Sequence, residues 1–129
     1  MKASDLVTIW SAPVPSRLTS KQYSFRLPVD VAAKLAAFEE LYPSRTRTQI
    51  VGDLLSAAIA VVEENLPASP GRLWGEDPDD GEKLYLATGP VMQFRTLVNK
   101  HYEAIERDMG NESPAPLYGV DLLVKADDK

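Results

Sequence analysis

The 129-residue chain has no cysteine, one histidine and no apolar run near the roughly 18–20 residues needed to cross a bilayer. Without cysteine there are no disulfides, thiolate zinc sites or thiol nucleophiles, which fits a reducing compartment. The lone His101, beside Tyr102 on a helical stripe, reads as a packed or surface residue rather than a catalyst or ligand. The N-terminal apolar run Leu6, Val7, Thr8, Ile9, Trp10 is too short for the core of a signal peptide, about 7–15 residues, and Pro13 follows it. A soluble cytoplasmic protein with no membrane association is the expectation. No Ser–His–Asp set, glycine-rich phosphate loop or metal-ligand spacing appears, so neither catalysis nor a cofactor is expected. Asp77, Asp79, Asp80 and Glu82 lack the Asp-x-Asp-x-Asp-Gly order and final Glu of a calcium loop, and read as a solvated turn with no metal. A basic surplus is missing too: 14 Lys+Arg face 19 Asp+Glu, a net charge of −5, which taken whole argues against nucleic acid.

The charge is unevenly spread, however. Residues 1–66 carry seven basic and seven acidic side chains, whereas 67–129 carry seven basic and twelve acidic. Within 17–47 the basic residues Arg17, Lys21, Arg26, Lys34, Arg45 and Arg47 outnumber Asp30, Glu39 and Glu40. Such asymmetry between halves suggests two roles or two partners.

Proline, serine and threonine make 1–20 a flexible arm. Residues 21–27 (KQYSFRL) alternate Gln22, Ser24 and Arg26 with Tyr23, Phe25 and Leu27, the period-two pattern of a half-buried strand. Pro28 ends it. From Val29 the period lengthens: Val31, Leu35 and Phe38 mark a helix that Pro43 stops. Thr46 followed by Gln49 matches a capping box, so a second helix starts near Thr46 and runs to about Glu64, with Ile50, Val51, Leu54 and Leu55 on its apolar face. Gly52 inside it points to close packing of another helix. Residues 67–82 (PASPGRLWGEDPDDGE) read as a linker or long loop, with Trp74 as an anchor. The 83–129 half is an acidic extension. It holds a short strand at 83–87, a helix opening at Gly89-Pro90 and stopping at Gly110, then an apolar stretch, 117–124, that is strand or helix.

A single strong strand leaves both edges unpaired, so a strand followed by two amphipathic helices points to two copies pairing their strands. The expected dimer core is Tyr23, Phe25, Leu27, Val31, Leu35, Phe38, Ile50, Val51, Leu54 and Leu55.

KQYSFRLPVDVAAKL followed by SRTRTQIVGDLL resembles the ribbon–helix–helix superfamily of bacterial and phage DNA-binding repressors, the Arc and MetJ type. The resemblance covers about 21–64. It implies a mainly α fold, an intertwined ribbon–helix–helix homodimer with one N-terminal strand per copy, here carrying an additional C-terminal helical extension. It also implies double-stranded DNA as partner, the two-stranded ribbon entering the major groove. Base readout then falls on Gln22, Ser24 and Arg26, side chains suited to adenine, to either purine, and to guanine respectively. Phosphate contact falls on Arg45, Thr46, Arg47 and Thr48 at a helix N-terminus. The function implied is a dimeric transcriptional regulator, most simply a repressor. The other reading is a protein-interaction module or antitoxin-like protein that uses the dimer as scaffold and the acidic half for a protein partner.

Overall fold

A computed structural model describes residues 5, 6, 17–119 and 122–125. Most of the expected N-terminal arm, and the charged tail after Lys125, lie outside the described residues. Two compact units divide the chain, Met1–Asn65 and Leu66–Lys129.

In the first unit, α1 spans Val29–Leu41 and α2 spans Arg47–Glu64. Asp30 sits in the first turn of α1, where the helix dipole favours an anion. The chain leaves α1 at Tyr42, whose N–H donates to the Phe38 carbonyl at 3.0 Å, and Pro43 cannot continue the helix. The capping box forms as its spacing predicts: the Gln49 N–H donates to Thr46 Oγ1 at 3.1 Å, and the Thr46 N–H donates to Gln49 Oε1 at 2.9 Å. Ile50 is completely buried and forms the core with Leu6 and Ala57; Leu35, Phe38, Tyr42 and Leu54 pack partly buried against them.

The second unit holds β1 (Ser69–Glu76), β2 (Lys83–Thr88), α3 (Pro90–Asp108) and β3 (Leu123–Lys125). The strands form one antiparallel sheet in the order β1-β2-β3. Helix α3 packs on the central strand, and Ala87 and Val91 are buried there. Gly89 at its start has φ +93°, a conformation glycine alone adopts freely. Pro90 occupies the first turn, where a missing N–H costs nothing. At the other end Glu106 is buried and accepts from Asn111 Nδ2 at 3.0 Å. Lys125 Nζ on β3 donates to Asp80 at 2.7 Å and reaches Glu82 at 3.2 Å, tying the edge strand to the acidic β1–β2 turn. The bond from Lys125, then one from the Glu82 N–H, hold the Asp80 carboxyl below its ordinary value; bonds to Asp80 and then Glu82 hold the Lys125 ammonium above its own. Protonation of Asp80, and with it loss of this bond, therefore sets in at lower pH than for a free aspartate.

This is an α+β fold, with three helices and a three-stranded sheet among the described residues, and it corrects the expected mainly α ribbon–helix–helix dimer. Residues 22–28 form neither strand nor helix and have no ladder partner among the described residues, and every strand of the sheet lies in the second unit instead. The C-terminal half is accordingly not a helical extension. Residues 69–76, rich in Pro and Gly, form a full strand where the composition reads as loop. Within the apolar stretch 117–124, Leu123 and Val124 belong to strand β3.

The glycine at 71 shows why that composition suits a strand here. A Cβ at Gly71 would stand 2.7 Å from Thr88 Cγ2 and 2.9 Å from the Leu86 carbonyl oxygen, so only hydrogen fits between β1 and β2. Gly71→Ala is expected to destabilise the second unit by about 1–3 kcal/mol, because a ladder carbonyl must move. Gly75→Ala, where nothing lies within 4 Å, is expected to change little. Thermal melting of the two variants checks this; equal midpoints would reject the close approach.

Candidate nucleic-acid interface

The segment 21–28 is exposed throughout. Tyr23 and Phe25 stack side by side, ring centroids 6.4 Å apart and planes 5° apart, so the two aromatic rings lie on the same side of the segment. Lys21 Nζ stands 5.4 Å from the Tyr23 ring. Gln22, Ser24 and Arg26 are exposed and have no hydrogen bond among the described residues.

These residues do not stand alone. Residues 18–23 and Phe25 share one groove, about 780 Å³, with Arg47, Thr48, Val51, Gly52 and Leu55 of α2. Of the residues singled out for base readout, Gln22 lines this groove, and of those singled out for phosphate contact, Arg47 and Thr48 do; Ser24, Arg26, Arg45 and Thr46 are not part of its lining. Thr46, Arg47 and Thr48 are exposed at the start of α2. The free N–H groups of a first helical turn make such a start an anion site. Arg47 Nε donates to Glu39 Oε1 at 2.8 Å, a pair the sequence reading missed; with Arg47 73% exposed, it is weak and readily exchanged for another anion. Arg45 differs. It is 92% buried by its surroundings, with relative exposure of 8%, and serves the packing of the turn rather than reaching solvent.

The ten residues assigned to a shared core fall into two groups. Ile50 is buried, and Leu35, Phe38, Val51 and Leu54 are half-buried within the chain. Tyr23, Phe25, Leu27, Val31 and Leu55 are exposed, Phe25 to 74%. On α2 the geometry explains the split. At about 100° per residue, Ile50, Leu54 and Ala57 lie along the covered side, while Val51, Leu55, Ile59 and Val62 form a second stripe about a quarter-turn or more away. Of that second stripe, Leu55, Ile59 and Val62 are more than half exposed. A Cβ at Gly52 would meet nothing within 4 Å, so no helix among the described residues of its own chain crowds it.

His101 is exposed on α3. Among the described residues no group of three or more His, Cys, Asp and Glu is placed to hold a metal, and no helix is long and apolar enough to cross a membrane. Comparison with protein-family models, with curated proteins and with solved structures finds no match to this chain.

Proposed function

We propose that the protein is a dimeric, sequence-specific DNA-binding transcriptional regulator, most simply a repressor, working in the cytoplasm. The observation that carries the reading is the shared groove in which residues 18–23 and Phe25 lie beside Arg47, Thr48 and the first turns of α2. Extended segments from two copies enter the major groove, where Gln22, Ser24 and Arg26 meet base edges. The α2 starts, with Thr46, Arg47 and Thr48, hold the flanking phosphates.

A second copy is the natural cover for the apolar face of the first unit. Leu55, Ile59 and Val62 of the second α2 stripe are large, apolar and exposed, and Tyr23 and Phe25 share a groove with Leu55. Two-fold pairing also doubles the basic window 17–47 on one side of the dimer, so the acidic surplus beyond residue 66 does not cancel it locally. The compactness of Leu66–Lys129, with its own sheet, weighs against a tail that folds only on a protein partner.

Selection of bound sequences from random duplex DNA by the full chain tests the proposal. Enrichment of a two-fold symmetric site is expected; absence of any enriched sequence would reject sequence-specific regulation.

A further inference from the structure

The second unit contains a cavity of about 690 Å³, within the range of small-molecule sites of about 300–1,000 Å³, and none of its lining residues takes part in the interface described above. Its polar wall is one face of α3, where Arg95, Thr96 and Asn99 succeed one another at helical spacing. The guanidinium of Arg95 lies over the Tyr118 ring, 4.7 Å from its centroid. Tyr118 is itself fixed: its N–H donates to Asn99 Oδ1 at 2.9 Å, and its carbonyl accepts from Asn99 Nδ2 at 3.0 Å. Arg95 is thereby oriented, yet its buried Nε has no hydrogen-bond acceptor, and no carboxylate pairs with it among the described residues. Arg95 is half-buried as a whole, but its Nε is cut off from water; a buried donor left without an acceptor is costly, and arginine cannot shed its charge. An incoming anion removes that cost.

The opposite wall supplies the second half of the recognition. Strand β1 shifts register between Leu73↔Tyr85 and Gly75↔Leu84, which leaves Trp74 as the extra residue of a bulge. Bulges commonly re-aim a side chain beside a site. Trp74 lines the cavity while remaining 58% exposed, an open aromatic face at its rim. Met92 and Leu123 complete the apolar lining.

We infer that this cavity binds a small organic anion with a flat apolar body, an aromatic carboxylate in the simplest case. The carboxylate accepts from Arg95, whose planar fork matches its geometry, and the ring lies against Trp74, Met92 and Leu123. The inference stands apart from the DNA-binding proposal, because its residues all belong to the second unit.

Titration of the full chain carrying Trp10→Phe, which leaves Trp74 as the sole tryptophan, tests it by fluorescence. Benzoate is expected to give a saturable change, binding about tenfold or more tighter than benzyl alcohol, acetate or inorganic phosphate. Arg95→Gln is expected to weaken benzoate about tenfold or more without losing the folded circular dichroism spectrum. Equal binding of benzyl alcohol would overturn the role of Arg95. Acetate or phosphate binding as tightly as benzoate would overturn the flat apolar body, and no saturable change with benzoate would overturn the site. The ligand comparison decides the matter with Arg95 intact, should the variant not fold.

Discussion

Replacing Arg26 by alanine is expected to lower affinity for the selected DNA site by about 10²-fold or more, and affinity for random duplex by far less. The physical basis is the difference between reading a base and meeting a phosphate. An arginine fork on guanine contributes roughly 1–3 kcal/mol of discrimination, and a two-fold dimer makes the contact twice. Arg26 is free to do this: it is exposed, and no hydrogen bond among the described residues holds it. Arg47 predicts the opposite pattern. As a phosphate contact it carries no sequence information, so Arg47→Ala should weaken site and random DNA alike. Each lost phosphate contact flattens the dependence of log affinity on log salt by about 0.9, or about 2 for the dimer. Before binding, Arg47 must leave Glu39, so Glu39→Gln should raise affinity modestly for both kinds of DNA. Fluorescence anisotropy over a salt series separates these cases. If Arg26→Ala keeps its preference for the selected site, the 21–27 segment is not the reader.

What the sequence made legible follows from how local each cause is. The start of α2 was readable because its cap is made by residues three apart, Thr46 and Gln49, and needs no tertiary partner. Helix α3 was readable for the same reason, with Gly89, Pro90 and Gly110 marking its ends. Alternation alone marks residues 21–27 as a strand, but a strand is defined by a neighbour, and the described residues supply none. The reverse error occurred at Ser69–Glu76. Its Pro and Gly signal a loop locally, while the tight approach of Gly71 to Leu86 and Thr88 makes glycine the residue that fits. That misreading, more than any other, turned an α+β chain into a mainly α expectation.

The candidate site divides along the same line. Gln22, Ser24, Arg26, Thr46, Arg47 and Thr48 were found because exposed polar residues stand at fixed offsets in a recognisable order. The burial of Arg45 was not, since nothing in a basic turn tells which side chain faces inward. The second-unit cavity was out of reach altogether. Arg95 and Asn99 look like any solvated helix face until Tyr118, some twenty residues on, folds over them. Trp74 was noticed only as an anchor, because a bulge depends on the register of two strands and leaves no mark in one of them.

Ile50→Ala should cost about 2–5 kcal/mol, the range for deleting most of a fully enclosed aliphatic side chain. It is the largest fully buried side chain among the described residues, and only Leu6 and Ala57 share its buried cluster. A unit of 65 residues buries too little surface to absorb such a loss easily. The first unit is therefore expected to melt far below the second, turning one transition into two. Leu55→Ala provides the contrast. Leu55 is 51% exposed, so its removal opens no cavity within one chain. If a second copy covers it, however, Leu55→Ala weakens the dimer and makes melting depend more steeply on protein concentration. Melts at concentrations on the order of a hundredfold apart distinguish the two effects. Ile50→Ala should shift the midpoint by a similar amount at both, whereas Leu55→Ala should shift it more at the lower one. A wild-type midpoint that does not move with concentration, together with a silent Leu55→Ala, would remove the second copy from that face. Ile50 would keep its role either way, since its neighbours all lie within its own chain.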